Sequence, residues 1–338
     1  MQPNIRLGFL THTEGTGTAY QIYQETLALF AAADALGFDV GWLAEHHFKP
    51  VAGRLPSLFP FLAAAAQRTC RIRLGVATVL LPYSNPFRVA EDAAVVDTLS
   101  GGRLELGVGS GLDPLEYDVF GVDFALRHTI TTAAVNQLLR ALRGEPLGAH
   151  GQVLEPPAPL LAGRLWQAAM SESGAQYVAR QGAGLILART ASEHGRRTDE
   201  NQLPVAQAYL AAWQESAPPR IAVSRTVVTA KDKRTALASM EVGVARFLPQ
   251  MIERGVLPAG LSLDEYCRQL HFAYGHPDEV IEFLAGDRVL PYATDLILQV
   301  NPATPPLEEA LRILEEITVQ IAPAFGWRPA LSSIQESL

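Results

Sequence analysis

The densest chemistry in the 338-residue chain is the run Trp42-Leu43-Ala44-Glu45-His46-His47-Phe48. An imidazole beside a carboxylate can take up or release a proton near neutral pH. Neighbouring residues of a strand point to opposite faces, so His46 and His47 do not readily grip one metal ion. No third ligand is spaced to help them. A single histidine, His46, acting as acid or base with Glu45 nearby is therefore the expectation. A histidine merely hydrogen-bonded in a turn is the alternative.

Two further segments suit a ligand with a flat or anionic part. Gly107-Val108-Gly109-Ser110-Gly111-Leu112-Asp113-Pro114 spaces its glycines so that backbone can approach a ligand closely. It lacks the later glycine of the dinucleotide fingerprint, and Asp113-Pro114 interrupts the expected helix, so a plain tight turn competes with that reading. Met170-Ser171-Glu172-Ser173-Gly174-Ala175-Gln176 places hydroxyls and free amides at the start of a helix. Such a terminus cradles phosphate, or is simply capped by Ser171 or Ser173. Asn85-Pro86 is a strong helix start, and Arg88, Glu91 and Asp92 beyond it form an ion-pair cluster on a helix face. Arg189 could approach a ligand or be a surface cation.

These segments need strands and helices to position them. Apolar runs fall at Ile5 to Thr11, Phe38 to Ala44, Ile72 to Leu80, Leu104 to Val108, Leu165 to Met170, Leu185 to Ala188, Ile221 to Val228 and Thr294 to Val300. Helical patterns lie between them, as at Tyr20 to Leu36, Pro86 to Leu99, Thr131 to Leu142 and Leu307 to Ile321. Continuous apolar strands alternating with helices predict a parallel sheet covered by helices. Eight such pairs fit a single closed (β/α)8 TIM barrel, with an open doubly wound sheet as the alternative. No linker divides the chain, so residues 1–338 are expected to form one domain. Insertions are expected at Gly144 to Pro159, Thr190 to Asn201 and Gly255 to Gly275. The second and third are lids or surface decoration.

Composition narrows the function classes. With 48% hydrophobic residues and a net charge of -8, the chain has mass for a large core and no basic stripe for nucleic acid. No apolar run is long enough to span a bilayer. Two distant cysteines, Cys70 and Cys267, argue against a zinc site or disulfide framework. A cytoplasmic protein is expected.

In their order and spacing, Trp42 to Phe48, Gly75 to Asp92 through Leu81-Pro82, and Ser100-Gly101-Gly102-Arg103 running into Gly107 resemble the bacterial luciferase-like monooxygenase family. The resemblance is dense from Leu7 to Gly121, clear from Met170 to Ala188 and loose after Val228. It implies a barrel with a flavin at the strand C-termini and a homodimer formed through the helices after strands 2 and 3, where Asn85 and Glu91 would lie. His46 matches the family's catalytic histidine. Ala77–Thr78 matches a non-proline cis peptide lying against the flavin ring. Glu172, Ser173, Gly174 and Gln176 match the phosphate-binding turn, and Glu45, Gly109, Ser110 and Gly111 join the implied cofactor site. Ser110 stands where luciferases carry an arginine on the flavin phosphate, and Gly109 replaces a reactive cysteine. The Gly-Ser-Gly turn is also similar to relatives that use the deazaflavin coenzyme F-420, whereas Glu172-Ser173 leans towards FMN. The implied function is a monooxygenase using O2 and reduced FMN from a separate flavin reductase, acting on a small organic substrate. An F-420-dependent hydride transferase and a non-catalytic flavin-binding protein are the alternatives.

Overall fold

The computed structural model describes residues 5–15, 17–49, 53–191, 196–300 and 302–329. Eight parallel strands close into a ring: β1 (Arg6–Thr11), β2 (Val40–Leu43), β3 (Arg73–Leu80), β4 (Leu104–Gly109), β5 (Leu165–Ala168), β6 (Gly184–Leu187), β7 (Ile221–Thr229) and β9 (Asp295–Gln299). Pairing of β6 with β7 and of β9 with both β7 and β1 completes the circle. The closed barrel is thus the architecture, and the open sheet is excluded. All eight expected strands are present within a few residues of their expected limits.

A ninth strand was not anticipated. β8 (Ala273–Gly275) pairs in parallel with the last three residues of β7, Val227 to Thr229, beyond the point where β7 leaves β9. It belongs to the third insertion, which is a packed unit. Helix α10 (Leu263–Gln269) and β8 share a small core in which Tyr266, Cys267, Leu270 and Phe272 meet Met240 and Val244. The latter two lie on α9 (Lys233–Glu253). The first insertion leads into the short α6 (Pro159–Ala162). Of the second, residues 192–195 lie outside the described residues.

The remaining helices cover the barrel: α1 (Ala19–Leu36), α2 (Leu58–Ala66), α3 (Pro86–Leu99), α4 (Pro114–Phe120), α5 (Arg127–Leu142), α7 (Glu172–Arg180), α8 (Thr198–Ala212), α11 (Pro277–Ala285) and α12 (Leu307–Glu316). Local sequence explains several of their starts. Thr18 and Gln21 form a capping box on α1, and the Asn85 side chain accepts from the Phe87 amide with Pro86 at the first helical position. On α3, Arg88 pairs with Glu91 and Asp92 as the spacing predicted. Among the described residues no helix is long and apolar enough to cross a membrane.

Two indoles fill the barrel axis. Trp42 and Trp166 are both fully buried and meet edge to face, with centroids 5.8 Å apart. Glycines on neighbouring strands make room for them. A Cβ on Gly75 would lie 2.3 Å from the Trp42 ring, and one on Gly184 2.3 Å from that of Trp166. Below them, at the N-terminal end of the strands, charged side chains close the barrel. Glu105, 2% exposed, accepts from Arg6, Arg73 and Trp166 Nε1 at 2.9, 2.6 and 2.6 Å. Burial opposes its charge, but Arg6 and Arg73 more than offset that and hold its carboxyl below the usual range. The opposite end, where the strands finish, is where the candidate residues lie.

Candidate active site

Four strands deliver one hydrogen-bonded chain to that mouth. His12 directly follows β1, and His46 lies three residues past β2. Gln299 ends β9, and Ser224 lies on β7. His46 Nε2 is 2.8 Å from His12 Nδ1, and the two rings stack with centroids 5.1 Å apart. His12 Nε2 is 3.2 Å from Gln299 Oε1, and Gln299 Nε2 donates to Ser224 Oγ at 2.7 Å. The segment after β2 folds back over His46. Its amide donates to the Leu55 carbonyl, and Gly53 (φ +91°) could carry no side chain because a Cβ would fall 2.3 Å from the imidazole.

Burial depresses both imidazoles. It pulls His12 well below the ordinary histidine value, with His46 and Arg189 adding to the effect. It lowers His46 to about 4, helped by Lys49 and His47 and opposed by Asp113. Both rings are therefore neutral at pH 7, and each keeps one nitrogen lone pair. A stability effect follows from the 6.5 of a free imidazole. Between pH 6.5 and 4 the unfolded chain binds a proton at His46 that the folded chain does not. Stability therefore falls as pH drops through that window, by on the order of 3 kcal/mol. Urea midpoints at pH 7 and pH 4.5 should show this loss, and His46→Gln should lose less.

Glu45 does not partner His46, contrary to the sequence expectation. Its Oε1 accepts from His47 Nε2 at 2.7 Å and its Oε2 from the Leu80 amide at 3.0 Å. Alternation along the chain explains the difference, since Glu45 and His46 leave on opposite sides. Glu45 thereby ties the end of β2 to the end of β3. On β3 the Ala77–Thr78 peptide is cis, as the resemblance implied, and the register with β4 shifts between Val76 and Val79. Ala77 and Thr78 are half-buried, and Ala77 packs against the cluster that holds both indoles.

Gly109, at the end of β4, faces Thr78, where an added Cβ would lie 2.5 Å from the threonine Oγ1. Gly111 adopts φ +71°, and the Ser110 carbonyl between the two glycines accepts from Tyr117 Oη. One strand further round, Ser171 caps α7 by accepting from the Gly174 amide at 3.2 Å. Glu172 and Ser173 are exposed in its first turn, with Gly174 and Gln176 half-buried beside them. First-turn amides have no partner within the helix and are suited to an anion. The expected residues on β2, β3 and β4 thus form one connected ledge, with the α7 turn beyond β5.

FMN fits these residues. A shallow ledge of Ala77, Thr78 and the side-chain-free Gly109 suits a flat ring, and the α7 N-terminus suits a phosphate. An aromatic wall borders the ledge, where Tyr83 stacks on Phe120 at 4.6 Å and His47 meets Phe120 edge on at 4.9 Å. Across the mouth, Arg189 lies over the Phe272 ring at 5.5 Å, and burial lowers its pKa to about 10.

His12, Gln299 and Ser224 were not singled out from the sequence. For His12 and Gln299 the usable signal was a polar residue at the carboxyl end of the first and last barrel strands; Ser224, inside β7, carried none. Among the described residues the cluster of Asp199, His271 and Asp287 is buried with its polar atoms close enough together to hold an ion. Both of its carboxylates already hold guanidinium groups, Arg197 on Asp199 and Arg225 on Asp287. It is a charge network that anchors the third insertion, and those arginines leave no need for a cation.

Fold and mouth together define a (β/α)8-barrel enzyme with its polar groups gathered at the strand C-termini. The chain belongs to the luciferase-like monooxygenase family, whose model matches residues 5–282. The 4-hydroxyprotoasukamycin monooxygenase of Streptomyces nodosus subsp. asukaensis is 37% identical over 134 residues, 40% of this chain and 36% of that protein. The chain spans 59% of the length of one curated relative that it matches and between 32% and 49% of four others. The oxygenating constituent of 3,6-diketocamphane monooxygenase from Pseudomonas putida, a type II Baeyer-Villiger monooxygenase solved with FMN, has TM-score 0.75 and 19% identity. The alignment covers 95% of this chain and 98% of that one. The coenzyme F420-dependent tetrahydromethanopterin reductase of Methanopyrus kandleri has TM-score 0.71 and 17% identity, with 95% and 99% covered.

Proposed function

We propose that the chain is the oxygenase of a two-component system, receiving reduced FMN from a separate flavin reductase and using O2 to oxygenate a small organic substrate in the cytoplasm. The observation that supports the reading is the hydrogen-bonded His46–His12 pair following β1 and β2, with the cis Ala77–Thr78 peptide on the neighbouring β3. Ala77, Thr78 and Gly109 would hold the ring, and Glu172, Ser173, Gly174 and Gln176 the phosphate. Ser110 and Gly111 would supply backbone between them, and Glu45 would hold the ledge in place through Leu80. Bound reduced flavin supplies the capacity to activate dioxygen. His46 would accept a proton from the substrate, and the indole-filled barrel below would keep water from that side. A homodimer through α2 and α3 is part of the proposal, supported by Val95 and Leu99, which are 45% and 52% exposed on α3.

A second reading, F-420-dependent hydride transfer, is favoured by the Gly109-Ser110-Gly111 turn, which lacks an arginine for the flavin phosphate. Titration with reduced FMN and reduced F-420 separates the two. Tighter binding of FMN, with oxygen uptake stimulated by a substrate from an aldehyde, ketone and amine panel, is expected. Binding of F-420 alone, with no oxygen uptake, would reject the oxygenase reading. Flavin binding without stimulation by any substrate would leave a non-catalytic flavin carrier.

A further inference from the structure

His46 has two ring nitrogens, and which of them is basic decides what it can do at the mouth. We infer that His12, itself held by Gln299, fixes His46 as its Nε2–H tautomer and so makes Nδ1 the basic atom offered to the site. Gln299 uses its amide nitrogen on Ser224 Oγ at 2.7 Å, which turns its carbonyl oxygen towards His12 Nε2 at 3.2 Å. A carbonyl only accepts, so His12 Nε2 carries the hydrogen. A neutral imidazole has one N–H, which leaves a lone pair on His12 Nδ1. That atom lies 2.8 Å from His46 Nε2, which must then be the donor. His46 is left with its lone pair on Nδ1, and no described residue hydrogen-bonds to that nitrogen.

Burial supports the premise of neutrality, since both rings are held below the ordinary histidine value. Intrinsic preference agrees, because a neutral imidazole in water favours Nε2–H and this arrangement leaves both rings in that form. The reverse arrangement needs the Gln299 amide turned over, with the Ser224 hydroxyl donating to its oxygen and its NH2 donating to His12 Nε2, and it would place the proton on Nδ1 of both rings. Ser224 and Gln299 are 3% and 4% exposed, so water is poorly placed to separate them. His12 is thus a positioning residue, and its link to turnover rests on the function proposed above.

Nitrogen NMR on ligand-free protein labelled with 15N-histidine tests the tautomer directly, with His12→Phe and His46→Gln assigning the signals. The expected result at pH 7 is Nε2–H on both rings and a scalar coupling across the hydrogen bond between His46 Nε2 and His12 Nδ1. A proton on Nδ1 of both rings would overturn the inference. Gln299→Glu, which can only accept, should keep the pattern, and Gln299→Leu should blur it. This pair covers the case in which His12→Phe does not fold. In the oxygen-uptake assay, His12→Phe should lower kcat by roughly tenfold with little change in KM. Gln299→Leu should lower kcat more than Gln299→Glu. An unaltered kcat in His12→Phe would remove His12 from the reaction. If the wild-type protein turns nothing over, the oxygenase reading fails, while the NMR spectrum still decides the tautomer.

Discussion

His46→Ala will bind reduced FMN about as well as the wild-type protein and turn over roughly 10²-fold more slowly, or worse. The imidazole is hydrogen-bonded to His12 through Nε2, and burial keeps it neutral at pH 7. Loss of a positioned proton acceptor typically removes about 10²- to 10⁴-fold of rate. Binding should survive because the proposed flavin contacts come from β3, β4 and the α7 turn, none of which His46 hydrogen-bonds. Single-turnover oxidation of bound flavin with substrate, alongside a binding titration, separates the two effects. Wild-type turnover in the variant would remove His46 from the mechanism.

The second large effect concerns stability. Asp287→Ala should cost about 3–5 kcal/mol, measured as a shift of the urea midpoint. Arg225 is fully buried, and its Nε donates to Asp287 Oδ2 at 2.6 Å. The same oxygen meets His271 Nε2 at 2.8 Å, and the other accepts from the Val289 and Leu290 amides. Burial opposes the carboxylate's charge, but His271 and Arg225 outweigh it and hold its pKa well below the usual range. Removing it strands a guanidinium in the interior together with two amides. Asp278→Ala, at a side chain 86% exposed, is the matching control and should change stability by less than about 1 kcal/mol. Equal midpoints for the two variants would show that the network does not hold the fold.

The barrel was legible in the sequence because its strands are apolar on both faces, and eight such runs alternate with helices. β8 was not, since three residues at the end of an insertion carry no periodicity and gain strand geometry only from the overhanging end of β7. The ledge residues Ala77, Thr78 and Gly109 were reached through family resemblance; their residue types alone would have passed for ordinary strand and turn. His46 could be read from its place after a strand, but its partner could not. His12 and Gln299 are 287 positions apart, and only closure of the ring, which sets β9 against β1, brings them together. The Glu45 assignment failed on a smaller scale, where proximity in sequence was taken for contact and alternation sent the carboxylate to His47 instead.

The paired indoles make the barrel a cul-de-sac. With Trp42 and Trp166 on the axis and the Glu105 ion pairs at the far end, the cofactor and substrate proposed above would share one doorway, and displaced water would leave by it too. Sequence of arrival then becomes part of specificity, because an early guest narrows the passage for a later one. Altering what this protein accepts is accordingly a task for the loops framing that doorway, and widening the axis would gain nothing.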